Sequence, residues 1–332
     1  MRIVNVKGQG TITVGNASDP VAGPGEVVIE TAVSALCGSE LHAYRDGGNE
    51  QGNSGHEAAG RVIALGEGVT ELAIGQRVGV SAIAGCGACA YCARGQYTWC
   101  SHFRFYGNMH AERFVAAANA CHLLPDDVPW EAGVLLTGDG MGVPYHTSTK
   151  IASPEIDTVA VFGVGPVGLG NVMLQSYLSR RVIAVDLSPR RLELARQLGA
   201  QVAIHAGETD PVEEIRGLTG GQGADVCIEA AGRPETALSC FAAVRTAGTV
   251  VFNGEQGAVA LSPSEHFIRR DITAVGAWFY HFSEYPAMLD CYRHGLRLTE
   301  LITDQFPITE AASAFAAFAA GQTGKVLLRY TS

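Results

Sequence analysis

The stretch Thr158-Val-Ala-Val-Phe162, followed at once by Gly163-Val-Gly165-Pro166-Val167-Gly168 and then a helix-forming run to about residue 179, constrains the fold more than any other part of the chain. Five apolar or β-branched residues read as a buried strand, and the glycines must turn the chain sharply before the helix begins. In that setting the first glycine permits the turn and the second lets a pyrophosphate approach the backbone. The third allows the helix to pack closely, while the helix N-terminus attracts the anion. Strands are expected at 182–186, 201–205, 224–229, 249–252 and 272–276, with a further helix through 198. Six strands in a strand-turn-helix rhythm predict an α/β, doubly wound parallel sheet over residues 149–285.

Asp186 ends the second strand of this region, 18 residues after Gly168. A carboxylate there can accept hydrogen bonds from both adenosine ribose hydroxyls and repels a 2′-phosphate, so NAD is expected in preference to NADP. Arg190 and Arg191, close by, keep NADP open, and Asp186 also suits a helix cap before Ser188-Pro189. The expected cofactor contacts are Gly163, Gly165, Pro166, Val167, Gly168, Asp186 and Arg191.

Before residue 150 the pattern changes to short Val/Ile-rich runs broken by Gly, Pro and Asn, as at 26–33, 60–65 and 77–80, which predicts a mainly β region. The tail carries an Ala- and Phe-rich helix over about 310–320 and a last strand at 325–330, expected to return to the N-terminal part. The expected division is 1–148, with a lobe at about 85–102, then 149–285, then a return segment 286–332. A formal net charge of −10 argues against a phosphate-tracking face, so nucleic acid is not an expected partner. The N-terminus has no signal-peptide apolar core, and no apolar run reaches membrane-spanning length. No membrane partner is expected, and a cytoplasmic location is.

Cys86-Gly-Ala-Cys89-Ala-Tyr-Cys92, closed by Cys100, places four of the nine cysteines within fifteen positions. Four thiolates at this spacing can complete a tetrahedral zinc shell, and disulfides or a chance cluster explain it less well. Four sulfur ligands leave no open position, so this zinc is expected to be structural. Cys121, Cys227, Cys240 and Cys291 are scattered, mostly in apolar segments that suit buried thiols.

Cys37, in Cys37-Gly-Ser39-Glu40-Leu-His42, and His56, in Gly55-His56-Glu57, lie on glycine-marked turns beside β runs. Singly, each has an ordinary explanation as a core thiol or a satisfied histidine. Together with the four-cysteine lobe, the glycine motif and the closing Gly324-Lys-Val-Leu-Leu, they form five ordered motifs over nearly the whole chain. In these the sequence resembles the zinc-dependent medium-chain alcohol and polyol dehydrogenases. That resemblance implies a GroES-like catalytic domain beside a Rossmann domain, two zinc ions per subunit and NAD. It implies catalytic zinc ligands at Cys37, His56 and Asp139, the last standing seven residues before His146. Glu57 is implied as an exchangeable fourth ligand, with a partnership to a nearby arginine as the alternative. Ser39 and then His42 are implied as a proton relay from the alcohol to solvent, by way of a nicotinamide ribose hydroxyl. The chemistry so implied is hydride transfer between an alcohol and NAD through a zinc-bound alkoxide.

Three places depart from the family pattern. Glu40 stands where the usual residue is Asp, an acceptor for the zinc-bound histidine, and Asn108-Met-His110 replaces a Gly-Gly-Phe-like segment. His110 is therefore a candidate specificity residue, and Tyr44, Trp99, residues 103–110, Trp278, Phe279 and Tyr280 are candidate pocket material. Gln76 also replaces an Asp, where only a changed turn is expected. The expected substrate is a small-molecule alcohol or ketone: a polyol, sugar or secondary alcohol. Threonine and simple alcohols remain open, as does a zinc-free quinone or enone reductase or a non-catalytic nucleotide binder. Relatives in this family associate, so a homodimer or homotetramer is expected.

Overall fold

The computed structural model describes residues 1–50 and 52–330. The chain forms two compact units. The first comprises Met1–Gly142, Phe279–Cys291 and Ile302–Ser332, and the second Val143–Trp278 and Tyr292–Leu301.

The second unit is built on a six-stranded parallel sheet. In spatial order its strands are Val202–His205, Arg181–Asp186, Thr158–Phe162, Ala224–Glu229, Val244–Phe252 and Thr273–Gly276. In chain order this is third, second, first, fourth, fifth, sixth, the doubly wound Rossmann arrangement. Every residue of Thr158–Phe162 is buried, as a central parallel strand covered on both faces requires. Phe162, Ile183, Val185, Ile215, Cys227, Phe241 and Val250 share one core. The strand expected over 249–252 begins five residues earlier, at Val244.

In the first unit Glu26–Ala35 is the central strand. It pairs antiparallel with Ala58–Leu65, Lys325–Arg329 and Arg113–Ala117. Ala58–Leu65 continues to Arg77–Val80, and that strand to Cys121–Leu123. The closing strand thus returns to the N-terminal sheet. Ile302–Pro307, which the sequence pattern did not bring out, lies parallel beside it. The expected tail helix runs over Ala311–Ala319, and Phe315 and Phe318 fill a core with Val4, Leu36 and Val326.

The register between Glu26–Ala35 and Ala58–Leu65 positions the site. Ser34 sits opposite Ala58, and the Ala35 amide donates to the Glu57 carbonyl at 2.9 Å. The turn that leaves the first strand at Cys37 is therefore beside the turn that enters the second at His56. No helix among the described residues is long and apolar enough to cross a membrane.

Candidate metal centre and nucleotide loop

Cys37, His56, Glu57 and Asp139 meet at the ends of these strands, each offering a ligand atom within 4.8 Å of the others. All four are buried, with 7%, 4%, 0% and 6% of their surface exposed. Asp139 follows the helix Trp130–Leu136 and is fixed through its amide, which donates to Glu57 Oε2 at 3.1 Å. The Cys37 thiol lies 3.2 Å from Asp139 Oδ2, and His56 Nε2 lies 3.0 Å from the same oxygen. Ligand atoms around a tetrahedral zinc with bonds of about 2.0–2.3 Å stand roughly 3.3–3.8 Å apart, close to these separations.

Three features fit a divalent cation. His56 Nδ1 donates to the Ser54 carbonyl at 2.9 Å, which fixes the ring with Nε2 directed at the cluster. Asp139 Oδ1 is buried without a hydrogen-bond partner. Burial, together with the Asp139 charge, pushes the Cys37 thiol up, and burial likewise pushes up Glu57. A cation relieves that crowding of acids. For His56, burial opposes the charged form, yet hydrogen bonds to Asp139 and Cys37 prevail and hold its pKa well above the usual value. Asp139 is lowered: burial would raise it, but the hydrogen bond and charge of His56 outweigh that.

Glu57 joins the cluster, and its ion-pair partner is a lysine in place of the arginine of the alternative reading. Lys325, wholly buried, pairs with its Oε1 and also donates to the Leu36 carbonyl at 3.4 Å. Burial disfavours the Lys325 charge, but Glu57 raises its pKa overall. Glu40 likewise does not reach His56, because its carboxylate turns to His110 Nε2 at 2.8 Å and to the Cys37 amide at 2.9 Å. His110 is fully buried, which removes it from any surface a substrate can touch. Ser39 and His42 are both exposed, at the start of the helix Glu40–Arg45.

Of the aromatic candidates, Phe105 and Phe279 lie beside His56. Their ring centroids lie 5.7 and 5.8 Å from that of His56 and 6.0 Å from each other. Phe279 has φ of 52°, a left-handed conformation costly for a bulky residue. Tyr280 is core instead, 1% exposed, with its hydroxyl donating to the Thr137 carbonyl at 2.9 Å. Tyr44 packs against Phe315, and Trp99 against Tyr91 and His281.

The second group that could hold a metal ion is the four-cysteine lobe. Cys89 and Cys92 sulfurs are 3.5 Å apart and Cys86 and Cys92 3.8 Å, the spacing of a tetrathiolate shell. Backbone N–H groups of Ala88 and Cys89 bring the exposed Cys86 thiol down to about 6, while burial pushes Cys92 up to about 12. Short 3-10 turns at Cys92–Arg94 and Tyr97–Trp99 hold the loop between ligands.

In the second unit the helix Pro166–Tyr177 starts on Gly165, with proline at its first turn. Gly163 has φ of 85°, and a Cβ there would stand 2.7 Å from Ala231. A Cβ on Gly168 would collide with the Gly163 carbonyl, so both positions demand glycine. Beside Gly165 there is room, since the nearest atom to an added Cβ is in the Arg191 guanidinium at 3.7 Å. Asp186 Oδ2 accepts from the Val164 amide at 2.7 Å and Oδ1 from the Ser188 amide at 2.9 Å. Ser188 itself caps the following helix, accepting from the Arg191 amide. Asp186 thus ties the glycine loop to the second strand, with lone pairs left for further donors. Pro166 is buried and Val167 half-buried behind this loop.

Residues 23–126 match the family described as alcohol dehydrogenase GroES-like domain, and residues 166–293 the one described as zinc-binding dehydrogenase. Sorbitol dehydrogenase of Bacillus subtilis is 31% identical over 302 residues, covering 87% of this chain and 85% of that protein. L-threonine 3-dehydrogenase of Pyrococcus abyssi is 32% identical over 326 residues, 93% of this chain and 92% of that protein. Among solved structures, an alcohol dehydrogenase from Thermus sp. ATN1 is 27% identical, covers 100% of both chains and superposes with a TM-score of 0.87.

Proposed function

The chain belongs to the zinc-dependent medium-chain dehydrogenases, and from that membership we propose that Cys37, His56 and Asp139 hold the catalytic zinc of an alcohol dehydrogenase that uses NAD. The observation that carries the assignment is the buried convergence of a thiol, an imidazole and two carboxylates, with Asp139 Oδ1 unpartnered. The protein is an oxidoreductase of alcohols in a family that uses zinc and NAD. When bound, zinc supplies the Lewis acidity that makes an alcohol hydroxyl acidic near neutral pH, and NAD supplies the hydride acceptor.

The residues divide the remaining work. Cys37, His56 and Asp139 would hold the ion, and a substrate oxygen would join them as a further ligand. Glu57, restrained by Lys325, stands as the exchangeable fourth ligand of the same cluster. Ser39 and His42, exposed at the start of one helix, are the proposed route by which the hydroxyl proton leaves. Imidazole suits the last step because it exchanges protons near neutral pH. Gly163, Gly165, Pro166, Val167 and Gly168 bind the pyrophosphate through the helix N-terminus. Asp186 takes the ribose hydroxyls and selects NAD, with Arg191 alongside the phosphates. Cys86, Cys89, Cys92 and Cys100 hold the structural zinc. The first unit is thus assigned to catalysis and the second to the cofactor.

Within the alcohols, the Phe105 and Phe279 rings beside His56 support a secondary alcohol bearing an apolar group over a fully hydroxylated polyol. The outer edge of Thr273–Gly276 has no partner strand among the described residues, which supports association of two copies through that edge into a homo-oligomer. Zinc-bound thiolates need a reducing compartment, in keeping with a cytoplasmic enzyme.

The test is NADH formation across secondary alcohols, polyols, sugars and threonine at saturating NAD, with zinc counted on the same protein. Turnover with two zinc ions per chain is expected. One zinc per chain and silence across the panel would overturn the catalytic assignment and restore the zinc-free reductase as the better reading.

A further inference from the structure

His110 and Glu40 are among the most deeply buried polar side chains of the first unit, 0% and 1% exposed. Two ionisable groups so far from solvent cost several kcal/mol of desolvation, and apolar packing of the same volume is often as stable. What a hydrogen-bonded pair adds is a fixed direction and distance, so the informative question is which segments the pair joins.

On one side, the Glu40 carboxylate bridges His110 and the Cys37 turn. Oε2 accepts from His110 Nε2 at 2.8 Å and Oε1 from the Cys37 amide at 2.9 Å. On the other side, the His110 ring packs against Gly55, directly before His56, and a Cβ on Gly55 would run into that ring. The His110 backbone is held by Asn53. The His110 amide donates to Asn53 Oδ1 at 3.2 Å, and Asn53 Nδ2 donates to the His110 carbonyl at 3.2 Å. The same Asn53 Oδ1 accepts from the Gly55 amide at 3.1 Å. His110 Nδ1 meets Ser34 Oγ at 2.8 Å, which prevents the ring from turning away. His110 therefore touches both ligand turns, that of Cys37 through the ring and Glu40, and that of His56 through the ring against Gly55 and the backbone bonds to Asn53.

We propose that His110 and Glu40 are positioning residues which clamp the Cys37 and His56 turns at metal-binding separation. The pair touches neither substrate nor reacting atoms and acts through the ligands. The proposal rests on the assignment of Cys37, His56 and Asp139 as metal ligands. It accounts for the presence of Glu at position 40: the longer side chain reaches an imidazole that is not a ligand, while His56 fixes its own ring on the Ser54 carbonyl. A shorter carboxylate at that position would not span both contacts.

The experiment compares the full-length protein with Glu40→Gln, Glu40→Ala, His110→Phe and the double variant Glu40→Gln/His110→Phe. Zinc affinity is measured by competition with a chelating dye. Cobalt is then placed at this site, with zinc kept in the four-cysteine lobe, and its visible spectrum recorded alongside the urea unfolding midpoint. Loss of the clamp is expected to weaken zinc binding at this site about 10- to 100-fold and to shift the cobalt bands, leaving the four-cysteine zinc in place. Glu40→Gln, which retains an acceptor for the Cys37 amide, should fall short of Glu40→Ala. The double variant should be no worse than its poorer single, because the two residues act as one unit. Unchanged zinc affinity and cobalt spectrum, with only a lowered urea midpoint, would make the pair ordinary core and overturn the clamp. A wild-type protein that binds a single zinc would remove the ligand assignment itself, and the clamp with it.

Discussion

Asp139 turns one oxygen, Oδ2, to His56 Nε2 at 3.0 Å and leaves the other, Oδ1, buried without a partner. A buried carboxylate oxygen is rarely left without a partner, and a bound metal ion would supply one. Asp139→Ala is expected to lower bound zinc from two per chain to one and kcat/KM by about a thousandfold, the scale of a lost Lewis acid. Elemental analysis alongside NADH kinetics decides it, and retention of both zinc ions with full activity would remove Asp139 from the ligand set.

Lys325 is the sole buried lysine among the described residues, and it pairs with Glu57. Lys325→Met strands the Glu57 charge beside Asp139, and breaking such a pair costs about 3–5 kcal/mol. The double variant Lys325→Met/Glu57→Gln should recover much of that stability in urea denaturation, although activity should stay low. A Lys325→Met variant as stable as the wild type would show that the pair is electrostatically idle.

Asp186 bonds the glycine loop through Val164 and is aligned with the start of the next helix through Ser188. Replacing it with serine keeps a small polar group but deletes the charge. Hydrogen bonds to charged groups contribute about 1.5–3 kcal/mol, so the ratio of kcat/KM for NAD to that for NADP should fall roughly 10- to 100-fold. An unchanged ratio would assign Asp186 to the loop alone.

His122 is enclosed by Phe282, Tyr285 and Tyr280 at ring centroid distances of 3.9, 4.4 and 5.9 Å, and burial lowers its pKa to about 3. In the unfolded chain the imidazole titrates near 6.5. Between those values the unfolded state binds one more proton than the folded state, so this residue makes stability fall as pH drops from about 6.5 towards 3. The contribution is roughly 5 kcal/mol at most. Urea midpoints measured across that range should fall less steeply in His122→Phe, which keeps the ring stack. Parallel slopes would show that other groups carry the acid sensitivity.

The two candidate metal groups differ in how they could be read. Cys86, Cys89, Cys92 and Cys100 lie within one short loop, so their spacing alone implies a shared ion. Cys37, His56 and Asp139 are separated by tens of residues, and only motif resemblance united them before the structure was known. The partners of that cluster were not legible. An arginine was only the alternative partner for Glu57, and the buried Lys325 it does meet comes from a strand 268 positions away. His110, in a segment that departs from the family's Gly-Gly-Phe-like pattern, was a candidate specificity residue and lies in the core. Nothing in the chain around it signals burial, because the groups that cover it come from Ser34, Glu40, Gly55 and Phe315.

The sequence by itself determined the glycine turn and its helix, the parallel α/β region, the four-cysteine lobe and the acidic end of the second strand. Each depends on interactions between residues close in the chain, where spacing and backbone geometry suffice. Tertiary structure alone decided which carboxylate faces which cation, how the Cys37 and His56 turns come together, and where the aromatic side chains lie. Those outcomes depend on strand register, Ser34 opposite Ala58 and Leu327 opposite Ala35. A shift of one residue would turn every side chain to the other face.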